Sequence, residues 1–108
     1  MCGIFSVFNN TSVKNDTLYS SFLKGKGRGP EKTSYNKNDE YKWTLGFLRL
    51  AINGLNSESD QPLYINGVYL ICNGEIYNYK ELYERIDISP ETDSDCEIII
   101  HLYNKYGI

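Results

Sequence analysis

Histidine occurs once in these 108 residues, at His101, and cysteine only three times, at Cys2, Cys72 and Cys96, with no CxxC spacing. A zinc site draws its ligands chiefly from these two residue types, so no metal site is expected. An odd cysteine count without an export signal points to a reducing compartment, and the expected location is cytoplasmic. Long apolar runs are missing as well. None approaches the roughly 20 residues of a membrane span. Polar and charged residues interrupt the first segment before a secretory signal can form. Nor is there an excess of positive charge: 11 Lys and Arg stand against 14 Asp and Glu, for a net charge of -3. Lys24, Lys26 and Arg28 form the densest basic group, while Lys80 and Arg85 stand apart. Neither a nucleic acid nor a membrane is an expected partner. Internal repeats and long low-complexity tracts are absent too, and the length allows one domain at most.

What is present begins with "MCGIFSVF". Ile4, Phe5, Val7 and Phe8 read as a short buried strand. Such a strand ties down an end that otherwise frays, and it fixes Cys2 at its start, an odd place for filler and a good one for a reactive group. A helix is predicted to begin near Asp16, with Leu18, Phe22 and Leu23 on one face. "GKGRGPEKTSYNKNDE" reads as a loop. "YKWTLGFLRLAI" has strand composition, and "NGLNSESDQP" reads as a second loop. In "PLYINGVYLIC", Asn66-Gly67 between two apolar runs predicts a two-residue type I′ hairpin turn. Asn78 is expected to cap a short helix carrying Leu82 and Tyr83. "SDCEIIIHLYNKYG" predicts a further helix. Its start is a Ser94–Glu97 capping box, Ile98, Ile99, Leu102 and Tyr106 line its face, and Gly107 is its stop. Cys72 and Cys96 read as small buried residues. The sum is an α+β chain with mainly antiparallel pairing.

Four stretches stand out together: "MCGIF", "LGFLRLAI", "QPLY…CNGEIYN" and "TDSDCEIII". Each alone has a bland reading: a chance cysteine, an edge arginine, a turn, a helix cap. In this order and spacing they resemble the amidotransferase domain of glutamine-dependent asparagine synthetases, a class II, amino-terminal-nucleophile family. "RGPE" at Arg28 to Glu31 is close to the family's "RGPD", and "NGEIYN" from Asn73 to Asn78 is the most specific element. The family usually has Gly at Ser6, His at Phe47, Ser at Ala51 and Asp at Asn53.

The resemblance implies a four-layer α/β/β/α sandwich and a glutaminase half-reaction, glutamine to glutamate plus ammonia, that supplies asparagine synthesis. Cys2 would be the nucleophile. Once Met1 is removed, its own α-amine, with a reference pKa of about 7.7–8.0, would be the general base. Lone His101 is then not required and is assigned to the surface or core edge of its helix. Asn73 and the Gly74 N–H would receive the negative oxygen of the intermediates, with glycine allowing close backbone approach. Arg49 would hold the glutamine α-carboxylate in a bidentate fork. Leu50, Ala51, Ile52 and Asn53 would line the same wall, and Glu75 and Asp95 would receive the α-ammonium. An inactive binding or regulatory fragment, or the glutaminase part of another class II amidotransferase, stays open beside this reading. No "SGGLDS"-type loop is present, so ATP and Mg²⁺ are expected only in an associated synthetase domain, and no cofactor in this chain. Residues 1–108 are expected to be the amino-terminal part of an incomplete domain. The expected partners are L-glutamine, a carboxy-terminal remainder of the domain and an ATP-dependent synthetase domain, in cis or in trans.

Overall fold

A computed structural model describes residues 2–51 and 55–108, which divide into two compact units on either side of residues 52–54. The first unit holds strand β1 (Gly3–Phe8), helix α1 (Asn15–Leu23), strand β2 (Lys32–Asn38) and strand β3 (Trp43–Arg49). The strands form an antiparallel sheet in the order β1-β3-β2. Central β3, "WTLGFLR", is buried from Thr44 to Arg49, as its continuous apolar run requires.

Gly46 organises the packing of α1 on this sheet. Phe5 and Tyr35 both oppose Gly46 in the register, and Phe22 of α1 fills the space left between them. Its ring centroid lies 5.7 Å from Phe5 and 5.3 Å from Tyr35. A Cβ on Gly46 would sit 2.7 Å from the Phe22 ring, so a side chain there would push the helix off. Phe22 is 2 % exposed, and its truncation to alanine costs about 3–5 kcal/mol on the usual scale for buried aromatics.

Two expectations for this unit need correction. β1 is an edge strand that alternates rather than a buried one: Ile4 is 52 % and Phe8 64 % exposed, while Phe5 and Val7 turn toward α1's side. And "KTSYNKN", read as loop, is strand β2. Its polar composition hides it, but an edge strand needs only one paired side and one packed face. Thr33 and Tyr35 supply that face, while Lys32, Asn36 and Lys37 stay exposed.

The second unit holds strand β4 (Leu63–Ile65), strand β5 (Val68–Leu70), helix α2 (Tyr79–Ile86) and helix α3 (Ile98–Tyr106). The predicted hairpin is there. Asn66 and Gly67 have φ of 50° and 80°, the pair of positive values that a type I′ turn demands. Leu63 and Ile65 pack on Ile100 of α3. On the other face Tyr64 opposes Tyr69, their rings 4.3 Å apart. Tyr83 and Ile86 of α2 pack on Ile98 of α3.

Helix ends differ from expectation in detail. Asn78 precedes α2 as predicted but makes no side-chain cap bond. Asp95–Glu97 form a 3₁₀ turn, and α3 proper starts at Ile98. The Ser94–Glu97 capping box does not form. Glu97 is wholly buried, and its carboxylate turns instead to the N–H groups of Glu91 and Thr92. The buried positions of α3 are Ile98, Ile100 and His101, while Tyr106 is exposed. His101 is therefore interior rather than at the surface, drawn in by its partner Glu97 one turn earlier. Cys96 is buried as expected, and Cys72 only half so. Gly107 ends α3 with φ of 76°, its N–H on the Tyr103 carbonyl.

Gly29 generates a test of the first unit. A Cβ there would lie 2.0 Å from the Leu48 carbonyl oxygen, whereas a Cβ on nearby Gly27 meets nothing within 4 Å. No rotamer relieves a clash with backbone. Gly29→Ala is expected to cost about 1–3 kcal/mol or more in a thermal melt, while Gly27→Ala stays near wild type. Equal melts for the two variants would remove the close approach as the reason for glycine.

Candidate functional site

At the end of β3 the backbone of residues 49–51 leaves the sheet and gains its partners from two other segments. Sγ of Cys2 donates to the Leu50 carbonyl and accepts from the Leu50 N–H, each at 3.3 Å. The Cys2 carbonyl in turn accepts from Arg28 Nε at 3.3 Å. From the "RGPE" loop, Glu31 gives its N–H to the Arg49 carbonyl at 3.1 Å and takes the Ala51 N–H on Oε2 at 3.0 Å. Arg49 is the last residue of β3 and is buried. Strand alternation sets it on the face of Leu45 and Phe47, opposite α1. The first unit thus brings together Cys2, Arg49, Leu50 and Ala51. Ile52 and Asn53 lie outside the described residues.

The second unit brings together Asn73, Gly74, Glu75 and Asp95. The segment from Cys72 to Ile76 follows β5 without regular structure, and it is fastened at both ends. The Gln61 side chain accepts from the Cys72 N–H at 2.5 Å and donates to the Cys72 carbonyl at 3.1 Å. Asp95 Oδ2 accepts from the Ile76 N–H at 2.5 Å. Between the two, the Cys96 thiol donates to the Gly74 carbonyl at 3.6 Å. Asn73, Gly74 and Glu75 are exposed, and Asp95 is buried. A Cβ on Gly74 would meet only Cys72 Sγ, at an ordinary 3.7 Å. The described residues leave room for a side chain there.

Behind Asp95 sits a buried polar group. Glu97 Oε1 accepts from the Glu91 N–H at 2.8 Å and faces His101 Nε2 at 2.8 Å, and Oε2 accepts from the Thr92 N–H at 2.6 Å. Burial alone would push this carboxyl up. The hydrogen bonds from Thr92, Glu91 and His101 outweigh it and hold the carboxyl below its ordinary 4.5. Tyr83 packs edge-on against His101, and burial, then the Glu97 charge, raises its hydroxyl well above the ordinary phenol range. Among the described residues, no group of three or more His, Cys, Asp and Glu could hold a metal ion. No helix there is long and apolar enough to cross a membrane.

Sequence reasoning gave no site role to Glu31 or Gln61, and read Glu97 only as a capping-box residue. Gln61 and Glu31 lie in the visible "QPLY" and "RGPE" motifs, but the roles of all three are recognisable only from what they touch.

Residues 1–108 match the glutamine amidotransferase domain family over their whole length. The chain belongs to that family. Among relatives, it is 39 % identical over 112 residues to a probable glutamine-hydrolyzing asparagine synthetase of Acanthamoeba polyphaga mimivirus, an alignment covering 99 % of this chain and 20 % of the relative. It is 36 % identical over 115 residues to glutamine-hydrolyzing asparagine synthetase 1 of Arabidopsis thaliana, covering 100 % and 19 %. It is 32 % identical over 126 residues to a putative glutamine-hydrolyzing asparagine synthetase 2 of Methanocaldococcus jannaschii, covering 99 % and 24 %. The chain thus spans 19–24 % of the length of these relatives.

Glu97 gives this amidotransferase domain a defined acid response. Its carboxyl titrates lower in the folded than in the unfolded chain. Its contribution to stability is therefore complete above about pH 4.5 and lost as the pH falls through the lower folded value. The stability gap between wild type and Glu97→Gln, from urea titrations, is expected to be full at neutral pH and to narrow below about pH 4.5. A gap that stays constant on acidification would show that the Glu97 charge is not its source.

Proposed function

We propose that this chain carries the glutaminase half-reaction of an asparagine-synthetase-type amidotransferase and releases ammonia from L-glutamine for asparagine synthesis. The observation that carries the reading is the hold on Cys2. In a chain of this family, the thiol is held by the N–H and C=O of Leu50, the residue that follows the buried Arg49. A nucleophile must be both fixed and near the group that orients its substrate.

In this reading Met1 is removed and the freed amine of Cys2 takes the thiol proton. Sγ attacks the carboxamide carbon of glutamine. The Asn73 side chain and the Gly74 N–H donate to the oxygen that becomes negative, and a lost donor of this kind typically costs about 10²–10³ in rate. Collapse breaks the C–N bond, and the leaving nitrogen takes the proton and departs as ammonia. Water then cleaves the thioester to give glutamate and regenerate the thiol. Arg49 clamps the α-carboxylate, backed by the wall from Leu50 to Asn53. Glu75 and Asp95 receive the α-ammonium. With Asp95 Oδ2 committed to the Ile76 N–H, Oδ1 is the oxygen that would meet the ammonium.

The wider setting follows from the family and from the length of the relatives. The mixed helix and antiparallel strands support a place in a four-layer α/β/β/α amino-terminal-nucleophile sandwich. The chain would form the amino-terminal part of that domain, completed by a carboxy-terminal remainder. It would serve an ATP-dependent synthetase domain in cis or in trans, in the cytoplasm, and ATP and Mg²⁺ would belong to that synthetase domain.

Two experiments test the reading. Ammonia release should follow the fraction of protein whose intact mass lacks Met1, and Cys2→Ala should abolish it. Full turnover by protein that keeps Met1 would sink the amino-terminal mechanism. In a Cys2→Ala background, Arg49→Lys should weaken glutamine binding about 10–100-fold by calorimetry, because lysine offers no planar fork and a charged hydrogen bond is worth roughly 1.5–3 kcal/mol. Unchanged binding would remove Arg49 from the substrate site.

A further inference from the structure

The regular β4–β5 ladder ends at the pair Leu63–Leu70. Its pairs run Ile65–Val68, Tyr64–Tyr69 and Leu63–Leu70. One step further, Pro62 would face Ile71 at a non-hydrogen-bonded position, where no ladder bond is exchanged. Two steps further, Gln61 stands opposite Cys72, and here the ladder resumes in another form. The buried Gln61 side chain supplies both a C=O and an N–H to the Cys72 backbone. Those are the two bonds that a paired strand residue would have made. Order is thereby carried past the proline to the residue immediately before Asn73.

We infer that Gln61 is a positioning residue for the Asn73 and Gly74 donors. The inference rests on the glutaminase reading of those two residues. Cys72 is held by Gln61, Ile76 by Asp95, and the donors lie on the span between these two fastenings. The two ends differ in what they place. The Ile76 fastening is next to Glu75, a ground-state contact to the ammonium. The Cys72 fastening is next to Asn73, whose donor matters most once the oxygen is negative. Loosening Cys72 therefore acts on turnover more than on binding. The chemistry also restricts what can stand at position 61. Glutamate keeps an acceptor for the Cys72 N–H but sets an oxygen against its carbonyl. Asparagine is one methylene short. Methionine matches the length and leaves both Cys72 groups unpaired.

Gln61→Met is the informative variant because it opens little space. Measured on the protein at its natural length, kcat for glutamine hydrolysis should fall about 10–100-fold with KM little changed. The Cys72 amide should exchange faster with deuterated water, while the Tyr69 amide in the hairpin stays protected. Asn73→Ala should lower kcat by itself, and adding Gln61→Met to it should cost little more. If Gln61→Met does not fold, Gln61→Glu carries the same three readouts with the Cys72 N–H still partnered. Full kcat in the variant that folds, or losses that simply multiply with Asn73→Ala, would overturn the proposal and leave the reading of Asn73 standing. An Asn73→Ala protein with unchanged kcat would instead sink that reading, and the proposal with it.

Discussion

A backbone N–H or C=O that leaves a sheet must find another partner, because an unpaired one inside the protein costs about as much as a lost hydrogen bond. Several described candidate residues stand at or next to points where that constraint bites. Leu50 has left β3, and Cys2 Sγ takes up both of its polar groups. Ala51 follows, and Glu31 takes its N–H. Cys72 has left β5, and Gln61 answers it. Ile76 is answered by Asp95, and Glu91 and Thr92 by Glu97. Side chains replace strand neighbours at each point, which gives irregular segments the fixity that regular structure provides elsewhere.

The two units meet this constraint with different resources. In the first, a glycine-permitted close approach does part of the work. Gly29 lies against the Leu48 carbonyl, so the "RGPE" loop runs close enough for Glu31 to reach both Arg49 and Ala51. In the second, long polar side chains span the gap from neighbouring segments. Glu97 is the extreme case, a carboxylate with no exposure at all that joins the loop before Asp95 to His101 on α3. A buried acid of this kind is poor evidence of stability by itself. Its value is geometric, since it fixes the chain just ahead of Asp95.

Much of this was legible from local chemistry. Asn66-Gly67 announced its turn because only a few residues accept two successive positive φ values. Gly107 announced a helix end for the same reason, and Phe22 lay on the face that periodicity indicated. β2 was hidden because an edge strand can be built from Lys, Asn and Ser once β3 provides the pairing. The supposed capping box misled because Ser94 and Glu97 have the right spacing, while the buried Glu97 found better donors at Glu91 and Thr92. His101, assigned to the surface or core edge of its helix, lies buried beside Glu97. "QPLY" and "RGPE" were visible as motifs, but Gln61 and Glu31 show their roles only through partners 11 and 20 residues away. The candidate residues themselves came from resemblance rather than from periodicity, since polar residues on irregular segments leave no periodic trace.

Trp43 opens β3, and it is the only tryptophan in the chain. Its indole is therefore an optical label confined to the first unit, the one that carries Cys2 and Arg49. Fluorescence excited selectively at the red edge follows the loosening of that sheet. The stacked Tyr64 and Tyr69 rings give the second unit a separate chiral signature in the near ultraviolet. The two units can thus be watched apart, in one sample, without adding a probe.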